Sequence, residues 1–225
     1  MNNSSFSTLL KKNLAFLSPY LVFLGVGGIL ISLHSKAGIH IYINEHTQGL
    51  ADTFFRLITN LGDGLFVAIL ALLFLLIRIR SGLLIAISGL IAGVVTQTLK
   101  HTVFSDLKRP VKFFEGIYQL HLVPGVNNYS GNTFPSGHSA SAFALYLSLA
   151  LLTENKLLKF SLFLIACIVA FSRIYLSQHF FNDVYAGSIL GILSVLGAWL
   201  ILTRMKPFTQ AVWMNHSVFL KKKLS

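Results

Sequence analysis

Apolar runs near the ~20-residue length that lets a helix cross roughly 30 Å of hydrocarbon recur along this chain. They cover Asn13–Leu33, Gly64–Ile79, Leu83–Leu99, His138–Leu152, Leu157–Tyr175 and Val184–Leu202, with charges gathered at their ends. Lipid offers no hydrogen-bond partners, so such segments must pair their backbone groups internally, as helices do. Composition agrees: 11% of the 225 residues are charged, whereas soluble domains carry about a quarter. The predicted fold is all-α and integral to the membrane. It is one domain over residues 1–225, a bundle of six transmembrane helices with a long outward loop between helices 3 and 4. The first run follows Lys11 and Lys12, outlasts a signal-peptide core and has no small-residue cleavage site after it; it is read as a retained span. Runs two and three form a tight hairpin around Arg78-Ile79-Arg80. Gly89-x-x-x-Gly93 and Gly187-x-x-x-Gly191 suit close helix packing. The single cysteine, Cys167, lies inside an apolar run and reads as a small hydrophobe, with no disulfide framework.

Charge sets the orientation. The net charge of +11 reflects basic loops on one side of a membrane rather than a nucleic-acid partner. Lys11, Lys12, Arg78, Arg80, Lys156, Lys159, Arg204, Lys206 and Lys221–Lys223 fall on one side with Glu154. Glu45, Asp52, Asp63, Asp106, Glu115 and Asp183, six of the seven acids, fall on the other. The positive-inside rule then puts both termini in the cytoplasm and the loops 34–63, 100–137 and 173–183 outside. Within the first of these loops, Ile41–Leu61 is half apolar and is expected to lie along the interface as an amphipathic helix.

The outward side carries the chemistry. Ser172–Asp183 places Arg173, His179 and Asp183 in twelve residues. His179 and Asp183 are four apart, the spacing of one helical face. A carboxylate on one imidazole nitrogen fixes the tautomer and leaves the other as nucleophile or base. Ionisable groups at the edge of a span are costly to keep there, which makes a functional site as good a reading of this segment as a loop with a helix-start Asp and a few solvated charges. A second cluster, Phe134-Pro135-Ser136-Gly137-His138, opens the fourth run; first-turn amides around Ser136–His138 suit an anion. Taken alone, Pro-Ser-Gly-His is as ordinary as any turn before a helix. A third cluster holds Lys100, Lys108, Arg109 and Pro110. Arginine forks and a lysine point charge match phosphate oxygens. With two histidines and one carboxylate, these parts suffice for phosphoryl transfer without a metal, and the surplus of cations disfavours Mg²⁺ or Zn²⁺.

These motifs resemble those of the type 2 phosphatidic acid phosphatases, a family related to the vanadium haloperoxidases. Its pattern is Lys, six residues, Arg-Pro; then Pro-Ser-Gly-His; then Ser-Arg, five residues, His, three residues, Asp. Pro135-Ser136-Gly137-His138 and Ser172-Arg173-x5-His179-x3-Asp183 fit without gaps, within a motif-bearing core of about 100–190. The first motif departs from the pattern: Thr102 stands where its lysine falls. Lys100 takes that role, with a connection two residues longer; Lys108 is the alternative. The resemblance implies His179 as nucleophile forming a phosphohistidine, Asp183 as its orienter and His138 as acid and base. It implies Lys100, Arg109, Ser136, Gly137 and Arg173 as phosphate-binding groups, with no metal and no cofactor. The implied enzyme is a hydrolase of a membrane lipid phosphate or diphosphate: undecaprenyl diphosphate, phosphatidylglycerol phosphate, phosphatidic acid or lipid A type. It would sit in a bacterial inner membrane with its site on the periplasmic face. A phosphotransferase of the same fold, or an anion-binding transporter or scaffold, are the rival readings; the near absence of charges inside the runs disfavours the transporter. His101 and His121 are further candidates for substrate contact. Phe113, Phe114, Tyr118, Leu120, Leu122 and Val123 suit either a lipid chain or packing of the loop.

Overall fold

The computed structural model describes residues 5–47 and 49–205; Lys206, His216 and Lys221–Lys223 lie outside them. Ten α-helices follow one another, and no strand occurs among the described residues: α1 (Phe6–Lys12), α2 (Leu14–Leu33), α3 (Lys36–Glu45), α4 (Leu50–Ile58), α5 (Gly64–Ile77), α6 (Ile79–Thr102), α7 (Pro110–Phe114), α8 (Gly137–Leu151), α9 (Lys156–Tyr175) and α10 (Phe181–Arg204). A 3₁₀ turn, Thr59–Gly62, joins α4 to α5.

Each apolar run is helical. Among the described residues α2, α6, α9 and α10 are long and apolar enough to cross a membrane. The pair Leu50–Gly62 and Gly64–Ile77, bent by 52°, makes a fifth if it is one span. Large apolar side chains line the outside of the bundle, with Leu21, Val22, Val26, Leu65, Leu72, Leu90 and Leu193 all more than half exposed. A surface of this kind is stable against lipid and not against water. The protein is an integral membrane protein.

The 15-residue α8 is the axis of the bundle, packed on α6, α9 and α10. Ala140, Ala142, Phe143, Ala144, Leu145, Leu147 and Ala150 are all buried along it. Glycine makes the α8–α10 contact: a Cβ on Gly187 would stand 2.5 Å from the Ser136 carbonyl oxygen, and one on Gly191 2.5 Å from that of Ala140. The backbones touch because those positions carry no side chain. Gly89 and Gly93 differ. Gly89 faces Val67, whereas Gly93 faces open space on an apolar groove between α5 and α6.

The expected interfacial helix over 41–61 is two helices. The first ends at Glu45 and the second begins at Leu50, preceded by Gly49 at φ +68°, a conformation favouring glycine. At the other end of the bundle, the buried Lys159 ammonium donates to the Lys12 carbonyl and to Asn13 Oδ1, both at 2.7 Å. Lys12 in turn pairs with Glu154 at 3.3 Å.

Candidate active site

Helix ends converge on one place. Lys100 comes from the end of α6, His138 from the start of α8, Arg173 from the end of α9, and Asp183 from the first turn of α10. His179 sits in the turn between the last two helices. Its 2% exposure means that its ring answers to protein groups.

That turn is built with care. α9 ends with Ser177 N–H on the Ile174 carbonyl and Gln178 N–H on that of Arg173, both 3.0 Å. This is the Schellman pattern, which requires a left-handed residue at the position of Ser177, and Ser177 has φ +53°. A non-glycine residue held there needs support. It comes from α3: His40 Nε2 lies 3.2 Å from Ser177 Oγ and Asn44 Nδ2 donates to the same oxygen at 3.4 Å. Burial holds His40 neutral, its pKa down at about 4, so physiological pH does not disturb this support. His179 N–H also reaches the Arg173 carbonyl at 3.0 Å. The turn thus ties Arg173 to the nucleophile candidate His179.

His179 and Asp183 meet, but not on a shared helical face. Asp183 is the third residue of α10 and its Oδ2 reaches back to the Phe180 N–H at 3.0 Å, one half of a capping box. The same oxygen accepts the Thr133 hydroxyl and lies 3.3 Å from His179 Nδ1. The proton of His179 is therefore on Nδ1, and Nε2 carries the lone pair. Burial, then the charges of Arg109, Arg173 and Lys100, hold the His179 pKa well below the usual histidine range. At neutral pH it is an uncharged imidazole surrounded by cations.

Those cations are positioned unequally. Arg173 is 8% exposed; its Nη1 donates to Thr59 Oγ1 at 2.7 Å, and its buried Nε–H has no hydrogen-bond partner. An unmet buried donor of this kind calls for an acceptor. Arg109 stacks over Tyr129 and gives Nε to the Gly131 carbonyl at 2.9 Å and Nη1 to the Gln178 carbonyl at 3.3 Å. Lys100, 7% exposed, acts electrostatically on Arg109, Asp183 and Arg173, whereas Lys108 is exposed. Of the two lysines, Lys100 is the one that lies among these groups. Ser136 is fully buried, and its hydroxyl caps α8 by accepting the Ser139 N–H. The first-turn amides of Gly137 and His138 have no intrahelical partner and are the kind of donors an anion can use.

Several functional neighbours escaped the sequence reading. Thr133 bridges to both Asp183 and His179. Asp63 Oδ2 lies 3.6 Å from His138 Nε2. Gln178 and Thr59 hold the two arginines. The only signal for any of them was Asp63-Gly64 before an apolar run, an ordinary helix start. His101 is exposed, and His121 instead ties the loop down, with Nε2 3.0 Å from Asp52. Phe114 and Val123 are buried, so they pack the loop rather than await a lipid. Among the described residues no group of three or more His, Cys, Asp or Glu side chains is arranged for a metal ion.

Residues 81–207 fit the PAP2 superfamily. The chain belongs to the PAP2 superfamily. Its relatives are type 2 phosphatidic acid phosphatases, and the protein is a membrane phosphatase of that kind. It is 24% identical to a lipid A 4'-phosphatase of Porphyromonas gingivalis over 165 residues, 72% of this chain and 70% of the relative. The Aquifex aeolicus LpxE crystal structure superposes with TM-score 0.64 at 25% identity, covering 72% of this chain and 93% of that one. A PAP2-type phosphatidylglycerolphosphate phosphatase from Bacillus subtilis shares the fold, with TM-score 0.52 at 24% identity over 84% of this chain and 96% of the other. The PAP2 match begins beyond Thr59 and Asp63, so these two residues lie outside the matched region.

Proposed function

We propose that this PAP2 phosphatase hydrolyses a lipid phosphate monoester at the outer face of the membrane through a phosphohistidine on His179, without a metal ion. The observation that carries this reading is the neutral, Asp183-bound His179 inside a ring of Lys100, Arg109 and Arg173. His179 Nε2 attacks phosphorus as the ester oxygen leaves, taking a proton from His138. Water, giving its proton to neutral His138, then attacks the phosphohistidine; the P–N bond breaks and phosphate departs. The three cations and the α8 amides carry the charge that gathers on the phosphoryl oxygens, where most of the catalytic effect in such transfers arises. The positive charge that a metal would bring is already present, so chelation by EDTA is expected to leave turnover of the purified protein unchanged.

In this reading α2, the α4–α5 pair, α6, α8, α9 and α10 make six spans. The 103–136 segment lies outside the membrane and both termini lie in the cytoplasm. The charge distribution along the sequence supports that orientation. The groove lined by α5, α6 and Ser141 of α8, with a volume of about 440 Å³, supports a lipid substrate. It starts at Gly64, beside the Asp63–His138 contact, and its lining is mainly apolar. A lipid chain fits such a groove, and a soluble phosphate ester has no use for it.

Gly93→Leu tests the groove directly, because open space beside Gly93 accommodates the new side chain. Displacing about two methylenes of lipid at ~0.8 kcal/mol each raises KM for a long-chain phosphate roughly tenfold. A short-chain phosphate should respond much less; equal KM changes for both would remove the groove from the reading. The lipid A 4'-phosphatase relative supports a phosphorylated glycolipid as the first substrate to offer, with phosphatidylglycerol phosphate, phosphatidic acid and undecaprenyl diphosphate beside it. Release of inorganic phosphate from each lipid by detergent-solubilised protein, inhibited by vanadate, is the expected result. Transfer of the phosphoryl group to an added lipid or sugar, without free phosphate, would point to a phosphotransferase instead.

A further inference from the structure

The 59–63 segment presses on the catalytic machinery from outside the residues matched to the family. A Cβ on Gly62 would come 2.6 Å from Val169 Cγ1 and 3.0 Å from the His138 carbonyl oxygen. Only glycine lets this backbone lie against both α9 and the first turn of α8. Next to it, Asp63 divides its two oxygens. Oδ1 caps α5 by accepting the Leu65 N–H at 2.7 Å, which fixes the carboxylate; Oδ2 is directed to His138 Nε2, 3.6 Å away.

The charged groups around His138 are one-sided. Burial above all pushes its pKa down, to about 3, and Arg173 from α9, His179 from the turn before α10 and Lys100 from α6 act in the same direction; Asp63, from the α4–α5 junction, is the one carboxylate acting against them. A histidine that must hold a proton ready for a leaving oxygen is poorly served by two fixed cations and a second imidazole. Something has to favour its charged form.

We propose that Asp63 is a positioning residue for His138, holding its Nε2–H and stabilising the imidazolium from which the other nitrogen, Nδ1, protonates the leaving oxygen. In the first step the Nδ1 proton passes to the ester oxygen as the P–O bond breaks, and neutral His138 keeps Nε2–H on Asp63. In the second step Nδ1 takes a proton from the attacking water as the P–N bond breaks, restoring the imidazolium. This rests on the reading of His138 as acid and base, so the test includes a His138 variant as reference.

Asp63→Asn preserves the helix cap, since asparagine caps as well as aspartate, and it removes the charge. First-turnover cleavage is measured by rapid quench on two esters: a lipid alkyl phosphate, whose leaving oxygen needs a proton, and p-nitrophenyl phosphate, whose leaving group does not. Expected for Asp63→Asn is a loss of about tenfold or more on the alkyl ester and a much smaller loss on the aryl ester. Removing the carboxylate disfavours the protonated ring, so the alkaline limb of the alkyl-ester profile should move to lower pH by about one unit. Asp63→Glu should recover part of the rate. His138→Ala should show the same discrimination between esters, more strongly. If His138→Ala discriminates but Asp63→Asn loses equally on both esters with its pH limb unmoved, Asp63 is only a helix cap and the inference is wrong. If His138→Ala itself fails to discriminate, the assignment of His138 as proton donor falls, and the Asp63 inference with it.

Discussion

His179→Ala is expected to abolish turnover, with kcat on a lipid phosphate falling by about 10⁴-fold or more, the scale on which loss of a covalent nucleophile acts. The size follows from how completely this ring is prepared. Its Nδ1 faces Asp183 Oδ2 at 3.3 Å, and burial among Arg109, Arg173 and Lys100 keeps it neutral well below the usual histidine range. The lowered pKa has a definite consequence for pH. The unprotonated form is fully present at neutrality and persists as pH falls through the ordinary histidine range near 6.5. Any acid-side loss of kcat in that range must come from another group or from the substrate. In the wild type, mixing with labelled lipid phosphate and quenching in alkali should trap label on a His179 peptide identified by mass spectrometry. The variant should carry none. A folded His179→Ala protein, monodisperse in detergent, that turns over within tenfold of wild type would rule out the covalent route.

Much of this molecule was legible in its sequence because the bilayer imposes a strong code. The run Asn13–Leu33 matches α2 (Leu14–Leu33), Leu157–Tyr175 matches α9 (Lys156–Tyr175), and His138–Leu152 matches α8 (Gly137–Leu151). Apolar length alone sets those limits. That the charged candidates in 100–183 come together was legible for a different reason: charged side chains are rare here, so each one at a span end stands out. What stayed hidden depends on contacts between distant segments. Thr133 is fifty residues from Asp183, and Thr59 is far from Arg173 along the chain; a lone threonine has no periodicity to betray it. Local signals also misled. A helix end of the Schellman type advertises itself by glycine, and here the left-handed position is Ser177, affordable only because His40 and Asn44 reach it from α3. The i,i+4 spacing of His179 and Asp183 was right about proximity and wrong about cause. Their contact comes from a helix cap, with His179 outside the helix.

That cause shapes a second large effect. Asp183→Asn should lower kcat by about 10²–10⁴-fold with little change in KM, the upper value being that of an orienting aspartate replaced in a serine protease. Asp183 Oδ2 receives three groups: the Thr133 hydroxyl, the Phe180 N–H and His179 Nδ1. Because all three meet one oxygen, an asparagine that keeps its amide oxygen there preserves the start of α10, whereas one turned to face His179 with its NH₂ gives up the Phe180 N–H bond. In the turned form the NH₂, a donor, meets a ring nitrogen that must itself donate. His179 is then driven to carry its proton on Nε2, the atom that has to attack phosphorus. Thr133→Val separates the two roles of this carboxylate. It removes one hydrogen bond from a hydroxyl to the Asp183 carboxylate and leaves the charge and the tautomer of His179 intact, so its cost should be on the order of tenfold. Nitrogen-15 shifts of the His179 ring, measured on isotopically labelled protein, report which nitrogen is protonated. Nδ1–H in wild type and Thr133→Val, with Nε2–H in Asp183→Asn, is the expected pattern. Unchanged Nδ1 protonation in an inactive Asp183→Asn protein would mean that the carboxylate acts through its charge on the developing imidazolium-like phosphohistidine and not through the tautomer.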